Sequence, residues 1–333
     1  MKNKTLFITG GTGSFGQKFI ERCISLRPKK IIIFSRDELK QYDLKNKLVT
    51  KKNNDLFRFF IGDVRDKSRM EQAMEGVDYV IHAAALKQVP TAEYNPFETI
   101  KTNIIGAQNV IESSLKNNVK KVIALSTDKA TAPINLYGAT KLASDKLFLS
   151  ANNIRGSKKT IFSVVRYGNV LNSRGSVVPL FKSFKKKGYV PITDLEMTRF
   201  NITLSEGVKF VERCLKIMTG GELFVPKIPS FKIVDLASAI LPNAKKKIIG
   251  LRPGEKIHEE MITETDALNT FEFNDHYVIL SDFGYTKYKN RRLEKAIMSK
   301  GGKKCKKGFS YNSKNNKDFL DIKKIKNILK INS

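Results

Sequence analysis

Thr5-Leu6-Phe7-Ile8-Thr9-Gly10-Gly11-Thr12-Gly13-Ser14-Phe15-Gly16 joins an apolar run to a glycine-rich turn, and the fold class follows from that junction. Thr5 to Thr9 reads as a buried strand, and Phe15 to Ser25 as a helix. Between them Gly10, Gly13 and Gly16 keep a G-x-x-G-x-x-G spacing, one residue wider at the front than G-x-G-x-x-G. Glycines at such a junction permit a tight turn, let backbone amides approach a pyrophosphate and allow close helix-strand packing. A glycine triplet alone marks many ordinary turns. At a first strand-helix junction it points to a dinucleotide held by Gly10, Thr12, Gly13, Ser14, Phe15 and Gly16.

Outward from this turn, short apolar runs alternate with amphipathic segments. Lys30–Phe34, Leu56–Ile61, Asp78–His82, Val122–Ser126 and Ile161–Tyr167 read as further strands, and Leu223–Val225 as a seventh. Uninterrupted apolar strands separated by helices imply a parallel sheet covered on both faces. The expected class is α/β, a Rossmann-type doubly wound parallel sheet with a smaller α/β substrate-binding lobe at its carboxyl edge. The expected division is a dinucleotide-binding domain of residues 1–170 and 204–228, a lobe of 171–203 and 229–298, and a basic linker with a C-terminal helix over 299–333. Within that last segment, 299–316 is rich in Lys, Gly, Asn and Ser and reads as mobile.

Composition bounds the function. With 61 Lys and Arg against 32 Asp and Glu, the formal net charge is +29. The lysines are spread along the chain, with short clusters at Lys185–Lys187, Lys245–Lys247 and Lys303–Lys307, so nucleic acid is not the expected partner. A positive field suits an anionic small substrate. No apolar run is long enough to span a membrane. The start leads straight into a strand without a signal-peptide layout, and three distant cysteines (Cys23, Cys214, Cys305) fit neither a disulfide framework nor a metal site. A cytoplasmic protein without membrane or metal partners is expected.

The second strand ends in Ser35-Arg36-Asp37-Glu38, with Lys40 one helical turn on. A hydroxyl and two cations suit the 2′-phosphate of NADP, while Asp37 keeps NAD open. Asp63 and Val64 are expected at the adenine, and the small Ala83, Ala84 and Ala85 along the cofactor.

The chemistry concentrates after the fifth strand. Tyr137 and Lys141 stand four apart and share a helix face. The ammonium can hold the nicotinamide ribose and favour a tyrosinate, the base that takes a sugar hydroxyl proton. Asp128-Lys129 sets an acid beside an amine, the equipment to eliminate water from a transiently oxidised sugar. The pair alone leaves open which member gives and which takes the proton. A lysine base must be neutral, and burial beside Lys141 and Lys87 is expected to lower its pKa.

These residues resemble an extended short-chain dehydrogenase/reductase, and more closely the inverting UDP-N-acetylglucosamine 4,6-dehydratases of pseudaminic acid biosynthesis. The resemblance covers nearly the whole chain and is most specific from Ser126 to Lys141, Ser-Thr-Asp-Lys-Ala-x-x-Pro-Ile-Asn-Leu-Tyr-Gly-Ala-Thr-Lys. It implies that Tyr137 deprotonates the C4 hydroxyl, Thr127 holds the oxygen at C4, Lys129 removes the C5 proton and Asp128 protonates the departing C6 hydroxyl. Hydride returns to C6 and a proton to the opposite face of C5, so NADP is recycled. The implied product is UDP-2-acetamido-2,6-dideoxy-β-L-arabino-hex-4-ulose. The resemblance further implies a homo-oligomer, a dimer or hexamer. Arg199 and Arg252 are set against the UDP pyrophosphate and Glu255 against a ribose hydroxyl. Lys87, Asn169, Val177 and the loop from Ser173 to Pro179 become sugar-nucleotide contacts. Retaining 4,6-dehydratases are similar but carry Asp-Glu where this chain has Asp128-Lys129, and a related inverting group has methionine in place of Tyr137. A nucleotide-sugar 4-epimerase and a non-catalytic NADP-binding protein are the competing expectations.

Overall fold

A computed structural model describes residues 1–171, 176–281 and 287–331 of the chain. Strands β1 (Thr5–Thr9), β2 (Lys30–Ser35), β3 (Phe57–Ile61), β4 (Tyr79–His82), β5 (Lys121–Thr127) and β6 (Ile161–Tyr167) lie in the spatial order β3-β2-β1-β4-β5-β6. All neighbours in this run pair in parallel. This is the doubly wound order whose direction reverses between β1 and β4, opening a crevice at the carboxyl ends. The apolar runs form central strands because both sheet faces are covered by helices. Every residue of β1 is buried, and Leu6, Phe7, Ile8, Ile31 and Ile33 are wholly inaccessible. Each such side chain contributes about 1.5–3 kcal/mol by leaving water.

Beyond β6 the sheet continues with Glu222–Pro226 in parallel, then His276–Leu280 and Thr270–Glu272 antiparallel, then Lys303–Lys304. Residues 270–280, expected in the lobe, therefore extend the main sheet. The lobe is held by its own apolar cluster, in which Val178, Phe181, Val190, Ile192, Phe231 and Leu236 pack with Leu320 and Ile325. The last helix, Ile322–Ile331, lies against the helix Ile233–Ile240 and completes that cluster.

The segment read as a mobile linker is instead a docked strap. Cys305 donates its backbone N–H to Thr270 at 2.9 Å, and Tyr311–Asn312 pairs with Glu260–Ile262. Ser313 is fully buried. The lysine distribution also differs from its linear appearance. The strand Lys245–Ile248, every residue of which is exposed, pairs with Tyr189–Ile192, which begins one intervening residue after Lys185–Lys187, so two separate clusters become one basic edge. Among the described residues, no helix is long and apolar enough to cross a membrane.

Candidate active site

At the switch between β1 and β4, Gly10 adopts φ +66° and donates its N–H to Phe34 O at 3.0 Å. A side chain there would lie 2.9 Å from Ala84 N, and one at Gly16 would sit 2.5 Å from Gly11 Cα. The turn thus needs glycine for conformation at the first position and for close approach at the last. The helix Ser14–Ile24 begins at Gly13 with no side-chain cap, leaving its first amides as donors toward the crevice. Thr9 Oγ1 accepts from Ala83 N and Ala84 N, each at 3.2 Å, which holds β4's exit beside the turn.

A cavity of about 1090 Å³ runs from this turn to the lobe. Gly10, Gly13, Ser14, Phe15, Gly16 and Ala83 to Ala85 line one end of it. Thr127, Lys129, Tyr137, Lys141, Lys87 and Asn169 line its middle, and Val177, Arg199, Arg252 and Glu255 its lobe side. Thr12, Ser35, Arg36, Lys40, Asp63 and Val64 are not on its wall. Ser173, Arg174 and Gly175 lie outside the described residues.

The residues at the end of β2 have partners of their own. Ser35 Oγ accepts from Gln41 Nε2 at 3.0 Å, and half-exposed Arg36 is 3.6 Å from Asp63. Asp37 caps the helix Glu38–Leu48 by accepting from Lys40 N at 2.9 Å and is also ion-paired with the Lys40 ammonium. Its carboxylate is therefore already engaged.

β5 ends at Thr127, and a short 3-10 turn, Asp128–Ala130, carries the acid and the amine. Thr127 Oγ1 accepts from Lys129 N at 3.3 Å and donates to Asp128 Oδ1 at 2.9 Å. The helix Leu136–Ile154 is started by Asn135, whose Oδ1 accepts from Gly138 N at 2.8 Å. Asn135 Nδ2 donates to Gly254 O, also at 2.8 Å, so the Arg252–Gly254 loop is tied to the start of this helix. A Cβ at Gly138 would lie 2.2 Å from Lys129 O. Tyr137 and Lys141 are both buried.

Lys129 Nζ donates to Asp128 Oδ1 at 3.1 Å, to Glu259 Oε1 at 3.2 Å and to Asn169 Oδ1 at 3.3 Å. Burial alone would lower its pKa, but the two carboxylates outweigh burial and raise it. The expected lowering beside Lys141 and Lys87 is thus reversed, and the resting amine is an ammonium. Asp128 is fully inaccessible, and burial, with Glu259 adding to it, raises its carboxyl above the ordinary range despite Lys129. Moving one proton from Nζ to Oδ1 across their hydrogen bond would yield amine and carboxylic acid together, with no exchange with solvent. Asp128 lies behind the cavity wall, where it meets the cavity through Thr127 and Lys129.

Tyr137 is pushed up to about 12 by burial; Lys129 is the largest influence in the opposite direction, followed by a hydrogen bond with Thr127. The cation that favours the tyrosinate is therefore Lys129, where Lys141 was expected. Burial lowers Lys141, opposed by Asp145. Asp145 in turn accepts from Ser126 Oγ at 2.7 Å and from Arg166 Nη2 at 3.3 Å.

Two features differ from the sequence reading. Arg199 is buried, donates to Thr198 O and Ile257 O at 2.8 and 3.0 Å, and stands 3.6 Å from Glu259. It belongs to the charge cluster around Lys129. Glu259 itself was missed; its only sequence signal is a place three residues past the Arg252–Lys256 motif, and it lies 130 positions from Lys129.

The profile of the polysaccharide biosynthesis protein family matches residues 6–281. The chain is 54% identical over 329 residues to a UDP-N-acetylglucosamine 4,6-dehydratase (inverting) of Campylobacter jejuni, covering 98% of this chain and 97% of that one. It is 45% identical over 298 residues to a UDP-glucose 4-epimerase of Rickettsia canadensis, covering 86% of each. The X-ray structure of Pen from Bacillus thuringiensis superposes with a TM-score of 0.88 at 38% identity, over 99% of this chain and 98% of that one.

Proposed function

This chain belongs to the polysaccharide biosynthesis protein family, and we propose that within it the protein is a C5-inverting UDP-N-acetylglucosamine 4,6-dehydratase using NADP. The observation that supports this most is the Asp128–Lys129 pair, hydrogen-bonded at 3.1 Å, with Lys129 on the same cavity wall as Tyr137 and Asp128 directly behind it. A 4-epimerase uses the turn and the Tyr–Lys pair but has no task for an acid-amine pair.

Gly10, Gly13 and Gly16 form a cradle that side chains would fill, which suits a pyrophosphate. Bound there, NADP supplies a reversible hydride acceptor. Tyr137 takes the proton from the C4 hydroxyl, with Thr127 bonding the same oxygen and Lys141 holding the ribose. Lys129, once its proton has passed to Asp128, takes the proton from C5, made acidic by the C4 ketone. The Asp128 proton reaches the C6 oxygen across Thr127 or Lys129, the wall groups bonded to Oδ1. The nucleotide occupies the lobe side, where Arg252 faces phosphate, Glu255 a ribose hydroxyl, and Lys87, Asn169 and Val177 the sugar. Arg199 supports the reacting end through Glu259. The product suits the first step of pseudaminic acid type sugar biosynthesis. Conversion of UDP-N-acetylglucosamine to a 4-keto-6-deoxy product without added reductant tests this reading; a C4 epimer that retains its C6 hydroxyl contradicts it.

The choice of NADP rests on Arg36 and Lys40 beside Ser35, with Asp37 engaged as a cap. Arg36→Ala should weaken NADP binding about 10- to 100-fold, the equivalent of one charge-assisted hydrogen bond. NAD binding should change little. Dissociation constants that rise equally for both cofactors would refute the assignment.

A further inference from the structure

Glu259 is 3% exposed, its Oε1 lies 3.2 Å from Lys129 Nζ, and its Oε2 has no hydrogen-bond partner among the described residues. A buried acceptor without a partner is uncommon and calls for an explanation. Its backbone is fixed on both sides by the C-terminal strap: Glu259 N donates to Ser313 Oγ at 2.9 Å, and Ser313 N donates to Glu259 O at 2.7 Å. The charged groups facing the carboxylate are Lys129 and Asp128 from the turn after β5, Arg199 from the strand Thr198–Phe200, and Lys256 from its own loop. We propose that Glu259 is a positioning residue for the acid-base pair, a fixed carboxylate that clamps the Lys129 amine against Asp128 and sets the charge of the site. This inference rests on the reading of Asp128 and Lys129 as acid and base.

The physical consequence has a definite sign. A buried anion favours the protonated form of every titrating neighbour. Glu259 is among the causes that raise both Lys129 and Asp128. In the resting site it keeps the proton on Lys129, so the base is silent until substrate alters the balance. Neutralising Glu259 lowers the pKa of both groups. The limb of the pH profile that needs free Lys129 amine and the limb that needs protonated Asp128 then move together toward acid. A residue that merely filled space would move neither.

The test compares wild type, Glu259→Gln and Glu259→Asp, each as full chain with NADP. Acetic anhydride at one mildly alkaline pH labels only free amine, and mass spectrometry of the peptide carrying Lys129 gives its rate relative to an exposed lysine. A shift of one to two pH units makes Lys129 in Glu259→Gln label about 10- to 100-fold faster than in wild type. Glu259→Asp, which keeps the charge, stays within about threefold of wild type. Labelling of buried Lys141 is unchanged in all three and reports any opening of the site. The same variants should show the turnover optimum of Glu259→Gln displaced to lower pH by about one unit or more. A Glu259→Gln rate equal to wild type, or a Glu259→Asp rate equal to that of Glu259→Gln, overturns the proposal. Absence of water elimination by the wild type, with the labelling shift present, would overturn the dehydratase reading and leave the Glu259 clamp standing.

Discussion

Lys129→Ala is expected to bind NADP as tightly as wild type and to lose water elimination by about 10²- to 10⁴-fold, the range for removal of a positioned acid-base group. The reason is local. Lys129 lines the cavity wall, and its Nζ is hydrogen-bonded to both Asp128 and Glu259. Removing it deletes the proposed base and leaves the Asp128 and Glu259 carboxylates, both almost wholly buried, facing each other. Arg199 and Lys256 still balance Glu259, so Asp128 takes up a proton and the fold survives. In the proposed reaction C4 oxidation uses Tyr137, which here loses the cation that favours its tyrosinate, so reduced nicotinamide should still form, more slowly than in the wild type, and accumulate when the variant meets substrate. Its near-ultraviolet absorbance, followed beside product formation, separates the two steps. Turnover at the wild-type rate would remove Lys129 from the base role.

Gly138→Ala is expected to damage both stability and turnover, against the usual sign of that substitution. Alanine in a helix interior is ordinarily better than glycine by about 1 kcal/mol. Here the added methyl would sit 2.2 Å from Lys129 O and 3.0 Å from the Pro133 side chain. The backbone oxygen cannot turn away without moving the turn that carries Asp128 and Lys129. Overpacking of this kind costs about 1–3 kcal/mol, enough to reverse the helix gain. A displacement of the acid-base pair by about 1 Å costs on the order of 10²-fold in rate. Urea midpoints and kcat, measured on the same preparation, should both fall. A stabilised, fully active variant would show that the helix does not hold the turn in place.

Much of the fold was legible because it is written in local order. Strand, glycine turn and helix follow one another within Thr5 to Ile24, and the apolar runs of β1 to β6 carry no alternation because both sheet faces are covered. Tyr137 and Lys141, and Asp128 beside Lys129, were legible for the same reason: one helix turn or one peptide bond joins each pair. What sequence could not supply came from contacts between distant segments. Glu259 meets Lys129 only because the strap at Ser313 fixes the peptide after the Arg252–Lys256 motif. The Lys129 pKa moves against the expected direction because Asp128 and, after it, Glu259 outweigh burial; Asp128 stood in plain view beside Lys129, and Glu259 did not. The segment 299–316 failed for a different reason. Its Lys, Gly and Asn content describes side chains, whereas its order comes from backbone pairing at Cys305 and Tyr311. Likewise His276–Leu280 joined the main sheet because the edge at Glu222–Pro226 was free to pair, a fact no composition records.

The assignment stands or falls on whether Asp128 and Lys129 carry out an elimination that inverts C5. Proton NMR of the reaction of UDP-N-acetylglucosamine in deuterated water decides the matter. The expected product is a 4-keto-6-deoxy sugar nucleotide with deuterium at C5 and the configuration there inverted. A product with retained C5 configuration, or a C4 epimer still bearing its C6 hydroxyl, would refute the assignment.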